Sequence, residues 1–225
     1  MAEVPVAGEA PAPIGHWISV AGACSRAGKT ALTERLVELR PELAAVKFTV
    51  ADDRFDGCPR GSPCDVCDIE TPYRIVTSRD VLDEAGTDTG RMRRAGSRQV
   101  AWVIARRRYA GPAWRALWGA IDGPAVVEGS TIALQERPSL SLFVVHPQVS
   151  PEGWKPTSQL LVPRADAVVV NRRSGDARPP SPRVLEALSA LGCHAPIVAD
   201  LTRPVRSWAP ELAARSAGLA DVVTG

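Results

Sequence analysis

The chain has 225 residues, 45% of them hydrophobic, and 27 basic against 25 acidic side chains give a formal net charge of +2. That length suits one α/β domain with a sizeable core, and the near balance of charge excludes a nucleic-acid coat protein. No apolar run approaches the roughly eighteen residues of a membrane-spanning helix, and residues 1–15, MAEVPVAGEAPAPIG, lack the basic start and apolar centre of a signal peptide. They read as a flexible leader before a single domain over 16–225. The five cysteines are an odd number and three of them cluster. This argues against a disulfide scaffold and for a cytoplasmic protein with reduced thiols or a bound metal. Neither a nucleic acid nor a membrane is expected as a partner.

The first strand predicted is WISVAG (17–22), and a loop follows it directly. From Thr30 the series Leu32, Leu36, Leu39, Leu43 has helical spacing, with Pro41 marking the end. Further strands are predicted at 44–50, 99–105, 124–129, 140–146, 165–171 and 195–200. Helices are predicted at 89–96, 112–121, 157–164, 182–191 and 209–217. Strands that are apolar at nearly every residue and alternate with helices imply a mainly parallel sheet covered on both faces, an α/β fold of three layers. Residues 51–72, rich in Asp, Gly, Pro and Cys, have no regular reading and form an insert too long for an idle connection. Trp102, Trp114 and Trp118 have the spacing of core or helix-packing residues.

AGACSRAGKT (21–30) carries the main chemical signal. It ends in Gly28-Lys29-Thr30, as a phosphate-binding P-loop (Walker A) does, and it lies between a strand and a helix. Ala23, however, stands where that pattern has its first glycine, and Gly22 comes one residue early. Alanine fits there if its φ is negative. The cradle runs over Ala23, Cys24, Ser25, Arg26, Ala27, Gly28, Lys29, Thr30 and Ala31. Its backbone N–H groups and the helix N-terminus face phosphate oxygens. Gly28 lets the backbone approach, Lys29 neutralises the β- and γ-phosphates of GTP or ATP, and Thr30 offers a hydroxyl to Mg²⁺. Cys24 reads as a small packing residue.

Glu128 ends the buried strand AVVE, beside Gly129, which leaves space near a ligand. At the C-terminal edge of a parallel sheet, its carboxylate can hold Mg²⁺ or position an attacking water. Lys29 and Glu128 are therefore the catalytic candidates. Lys47, just after a buried run, is placed to contact phosphate or substrate. Asp52 and Asp53 are further candidates for Mg²⁺ or the γ-phosphate, and Asn171 ends a strand where an amide can read a base edge. Asp88 and Arg91 offer either substrate contact or a helix start, with Asp88 as N-cap. Cys58, Cys64 and Cys67, spaced C-x₅-C-x₂-C in a Pro/Gly-rich loop, suit zinc or an iron–sulfur cluster. Cys193, His194, Cys24 or a second protomer remain open as the source of a fourth ligand.

Several of these segments together resemble one family. ACSRAGKT is similar to the Ala-first loops of the molybdopterin-guanine dinucleotide biosynthesis protein B family. VKFTVADD (46–53) resembles its Lys-x-Thr segment, and GTDTGRMRRAGS (86–97) its Gly-Lys-Asp-Ser/Thr segment, with Thr87 in place of Lys. VVEGS and IVADL (197–201) resemble two of its strand ends. The likeness runs in order over most of residues 17–201. It implies a P-loop NTPase fold of the dimer-activated class, hence a homodimer, with GTP binding and a slow hydrolytic, accessory role in maturing the molybdenum cofactor. A pterin or metal would be the cargo. Val50, Ala51, Asp52 and Asp53 stand where the family often has histidines, and the cysteine cluster is not part of its pattern. The same loop and a lysine near the second strand also occur in ligases of the dethiobiotin synthetase type. The cysteines point instead to nickel-insertion metallochaperone GTPases.

Overall fold

The computed structural model describes residues 15–51, 71–172 and 178–221. Among them, strands β1 (Trp17–Gly22), β2 (Ala44–Ala51), β3 (Tyr73–Val76), β4 (Val100–Arg106), β5 (Ala125–Glu128), β6 (Leu140–Val145), β7 (Ala167–Asn171) and β8 (Ile197–Ala199) form one sheet in the order β3-β4-β2-β5-β1-β6-β7-β8. Neighbouring pairs are parallel except β3 with β4. The helices are α1 (Lys29–Leu39), α2 (Arg79–Leu82), α3 (Asp88–Arg94), α4 (Ala110–Leu117), α5 (Ile132–Gln135), α6 (Ser158–Leu161), α7 (Pro182–Ala190) and α8 (Pro210–Asp221).

The period of two along the strands divides the core. In β1, Trp17 and Ala21 point to one face, while Ile18 and Val20 point to the other. The first face packs on α4, α6 and α7 through Trp114, Leu161, Val184 and Leu188. The second packs on α1, α2, α3 and α8 through Leu32, Leu36, Leu82, Met92 and Leu212. The result is the expected α/β sandwich: a mainly parallel sheet between two helical layers, with β1, the loop over residues 23–28 and α1 near its centre. Trp17 and Trp118 flank Trp114 at centroid distances of 4.6 and 5.2 Å, one tilted and one edge-to-face, which fills the first face with packed indoles. Trp102 is different. It is half-buried on the second face, and its indole N–H donates to Thr49 Oγ1 at 3.0 Å.

Three elements differ from the sequence expectation because they are too short to show a period. β3 is four residues of antiparallel edge strand, and α2 and α5 are single turns. The helix predicted at 157–164 is one α-turn that tightens to 3₁₀ over Val162–Arg164. Pro163 removes the backbone donor that would continue it. No helix among the described residues is long and apolar enough to cross a membrane.

Candidate phosphate site

β1 hydrogen-bonds between β5 and β6 and hands the chain straight to α1 through residues 23–28. Ala23 is fully buried, and its N–H donates to Val144 O at 3.0 Å, so β1's pairing with β6 continues into the loop. Among the described non-glycine residues only Arg26 has a positive φ, so Ala23 keeps the backbone that alanine tolerates. The early glycine has its own reason. A Cβ on Gly22 would lie 2.9 Å from Lys29 Cγ, so this position leaves room for the lysine side chain.

Gly28 is constrained twice. Its φ is 116°, and a Cβ there would lie 2.3 Å from Asn171 Nδ2. The Asn171 amide donates to Ala27 O at 3.1 Å, so the end of β7 braces the loop. The space beside Gly28 is therefore taken by Asn171. Arg26, with φ 60°, sits in the left-handed region at the exposed loop tip. Arg26→Gly is expected to raise stability by roughly 0.5 kcal/mol in urea unfolding. Relief of about 1–2 kcal/mol is partly offset by glycine's greater chain entropy. A loss of stability would show that the tip is unstrained.

At the start of α1 no side chain caps the helix and no acidic residue occupies the first turn, so its N–H groups and dipole are left for an anion. Lys29 Nζ donates to Cys24 O at 3.3 Å. Burial holds the Lys29 pKa below its ordinary value; Glu128 and Asp88 oppose this, while Lys155 and Lys47 add to it. Burial likewise pushes the Cys24 thiol up despite the nearby lysines, and the residue is part of the core. Cys24 packs and is not activated as a nucleophile.

Beyond the loop lies a ring of four side chains from four elements. Lys47 lies within β2, not after it, and is in register with Glu128 on β5. Its ammonium donates to Glu128 Oε1 and to Asp88 Oδ2, both at 2.6 Å. Thr30 Oγ1 lies 2.9 Å from Glu128 Oε2 and 2.9 Å from Asp88 Oδ1. A hydroxyl has one proton, so Thr30 divides it between two carboxylates. Glu128 is 1% exposed. Burial acts to lower the Lys47 pKa, but Glu128 and Asp88 outweigh it and hold it raised. Burial acts to raise Asp88, and the Lys47 charge and the hydrogen bonds from Lys47 and Thr30 hold it lowered.

Asp88 is the member that the sequence reading left outside its ion-binding set. It opens α3 but is not the N-cap: that is Thr87, whose hydroxyl accepts from Gly90 N. Arg91, one turn on, forks onto Glu34 at 2.8 and 2.6 Å, which braces α3 against α1 and so holds Asp88 beside Thr30. Gly129 also has a different role from the one expected. A Cβ there would lie 2.8 Å from Phe48 O, so its space is filled by β2 and not by a ligand.

The donors that meet here are a hydroxyl and two carboxylates, all hard oxygens, and this set fits Mg²⁺. Among the described residues no three His, Cys, Asp or Glu side chains converge. An ion bound this way would complete its shell with water and phosphate, as Mg²⁺ does. Asp52, Asp53, Cys58, Cys64 and Cys67 lie outside the described residues. Cys193 and His194 stand between α7 and β8, at the end of the strands opposite the loop over residues 23–28, with His194 Nδ1 3.0 Å from Ser189 Oγ.

No protein-family model and no curated protein matches the chain. Among solved structures, a LAO/AO transport system kinase is similar at 16% identity and a TM-score of 0.38, over 74% of this chain and 43% of that one. The chain thus spans less than half the length of that kinase.

Proposed function

We propose that the protein is a Mg²⁺-dependent P-loop nucleoside triphosphatase. In this reading it binds GTP or ATP over Ala23–Ala31 and acts as an accessory protein in the maturation of molybdenum or a related metal cofactor. The observation that carries the nucleotide part is the ring of Thr30, Asp88, Lys47 and Glu128 at the mouth of an uncapped helix N-terminus. The cofactor part rests on the family resemblance. Its support is that four of the segments bearing that resemblance meet at this ring, although Lys47 is 41 residues from Asp88 and 81 from Glu128. Residues 16–225 would work as one unit, paired as a homodimer, with a pterin or metal as cargo. Zinc or an iron–sulfur cluster at Cys58, Cys64 and Cys67 would belong to cargo handling.

Thr30, Asp88 and Glu128 would hold the ion, which supplies positive charge to the phosphate oxygens. Lys29 exchanges a neutral carbonyl partner for the β- and γ-phosphates. The first N–H groups of α1 cradle the remaining oxygens. Water attacks the terminal phosphorus, the bond to the bridging oxygen breaks, and a nucleoside diphosphate and inorganic phosphate leave. Such transfer depends mainly on position and charge. Glu128→Gln, nearly equal in size, is therefore expected to slow hydrolysis about a hundredfold while changing nucleotide affinity much less. Hydrolysis at the wild-type rate would reduce Glu128 to a strand-end residue.

A second reading, an ATP-dependent ligase or kinase of the dethiobiotin synthetase type, is favoured by Lys47, whose ammonium reaches the same ring from β2. Turnover separates the two. Slow phosphate release without any acceptor supports the accessory triphosphatase, whereas consumption only with an acceptor supports the ligase or kinase.

A further inference from the structure

The segment between β6 and α6 is tied to the phosphate loop at one point. Lys155 N–H donates to Ala23 O at 2.6 Å, and the next turn begins at once, with Ser158 N–H on Lys155 O at 2.9 Å. The segment is braced within itself. Gly153 N–H donates to Ser150 O at 2.9 Å, Trp154 N–H to Pro151 O at 3.0 Å, and the Trp154 indole to Val149 O at 3.0 Å. These bonds fix the Lys155 backbone on the N-terminal limb of the loop, one residue from the carbonyl that receives Lys29 Nζ. The Lys155 side chain is exposed.

We propose that Lys155 is a further phosphate-binding residue, which reaches from outside the loop to the terminal phosphate of the nucleotide and so separates triphosphate from diphosphate. This inference rests on the nucleotide reading above. The limb position selects the phosphate. The N–H groups at the start of α1 take the inner phosphates, and the loop lysine reaches the β- and γ-phosphates. Lys155 joins the loop at the limb on which that lysine rests, at the outer end of the row. The charges agree with this. Lys47 already faces two carboxylates, whereas no acidic partner of Lys155 stands among the described residues. Its positive charge acts to depress the Lys29 pKa, so two cations bear on the same loop. That arrangement is costly alone and favourable around an anion.

The test separates the side chain from the tether, because Lys155→Ala keeps the N–H that bonds Ala23. Affinities for GMPPNP and AMPPNP, which resist hydrolysis, and for GDP and ADP are measured by calorimetry with Mg²⁺. The expected result is a ten- to hundredfold loss for the triphosphate analogues, in line with a hydrogen bond to a charged group, and a change within about twofold for the diphosphates. Lys155→Arg should keep most of the affinity. Equal losses for both classes, no loss for either, or an arginine variant as weak as the alanine variant would overturn the inference while leaving the nucleotide site in place. A wild-type chain that binds none of these nucleotides would overturn the nucleotide reading, and this inference with it.

Discussion

Lys29→Ala is expected to abolish binding of Mg²⁺-nucleotide. Lys29 is the cation of the loop itself, and its side chain is partnered by a neutral carbonyl at 3.3 Å rather than by a carboxylate. Moving it to a phosphate therefore breaks no ion pair. Its position is built in on two sides, by the missing Cβ of Gly22 and by the helix that starts at Lys29. Burial holds its pKa below the ordinary value, so part of its desolvation cost is met before the ligand arrives. A charge-assisted contact to phosphate at such a site, once lost, costs about 3 kcal/mol or more, a hundredfold or greater fall in affinity. Calorimetry with GTP and with ATP checks this, and an affinity within threefold of wild type would place the phosphates elsewhere. The fold should be little changed, because only one bond to a loop carbonyl is lost.

The loop was legible because its residues are consecutive. A strand, six loop residues and a helix start can be read from a single window, and the alternation of apolar strands with helices gave the layers. The ring was not legible, because its members meet through register and packing. Lys47 reaches Glu128 because β2 and β5 pair at those two residues, and no local pattern states that pairing. Asp88 enters through a helix that Arg91 and Glu34 pin to α1. In the sequence it looks like an ordinary helix start. The glycines show the same limit. Gly129 reads as space for a ligand, yet its missing Cβ makes room for Phe48 of β2, and at Gly28 the close approach involves Asn171. A glycine in a sequence marks a close approach without naming the partner.

Lys47→Met should cost about 3–5 kcal/mol of stability, the range for removing one partner of a buried ion pair. The long apolar stem is kept, so the change isolates the charge. Without the ammonium, the buried Glu128 carboxylate and Asp88 face each other across one Thr30 hydroxyl, which can donate only one proton. Two signs distinguish this from a packing defect. The first is pH. In the wild type the lowered Asp88 pKa contributes stability above the ordinary carboxylate range, and that contribution is lost as pH falls through it. In the variant Asp88 lacks the cation that holds its pKa down, so that contribution is missing and the gap to wild type narrows toward acid. The second sign is Mg²⁺. The ion would supply the charge that Lys47 gives now, so millimolar Mg²⁺ without nucleotide should stabilise the variant more than the wild type in urea unfolding. A loss under about 1 kcal/mol, or an equal Mg²⁺ response in both proteins, would show that the ring is not held by charge and that its oxygens are not an ion site.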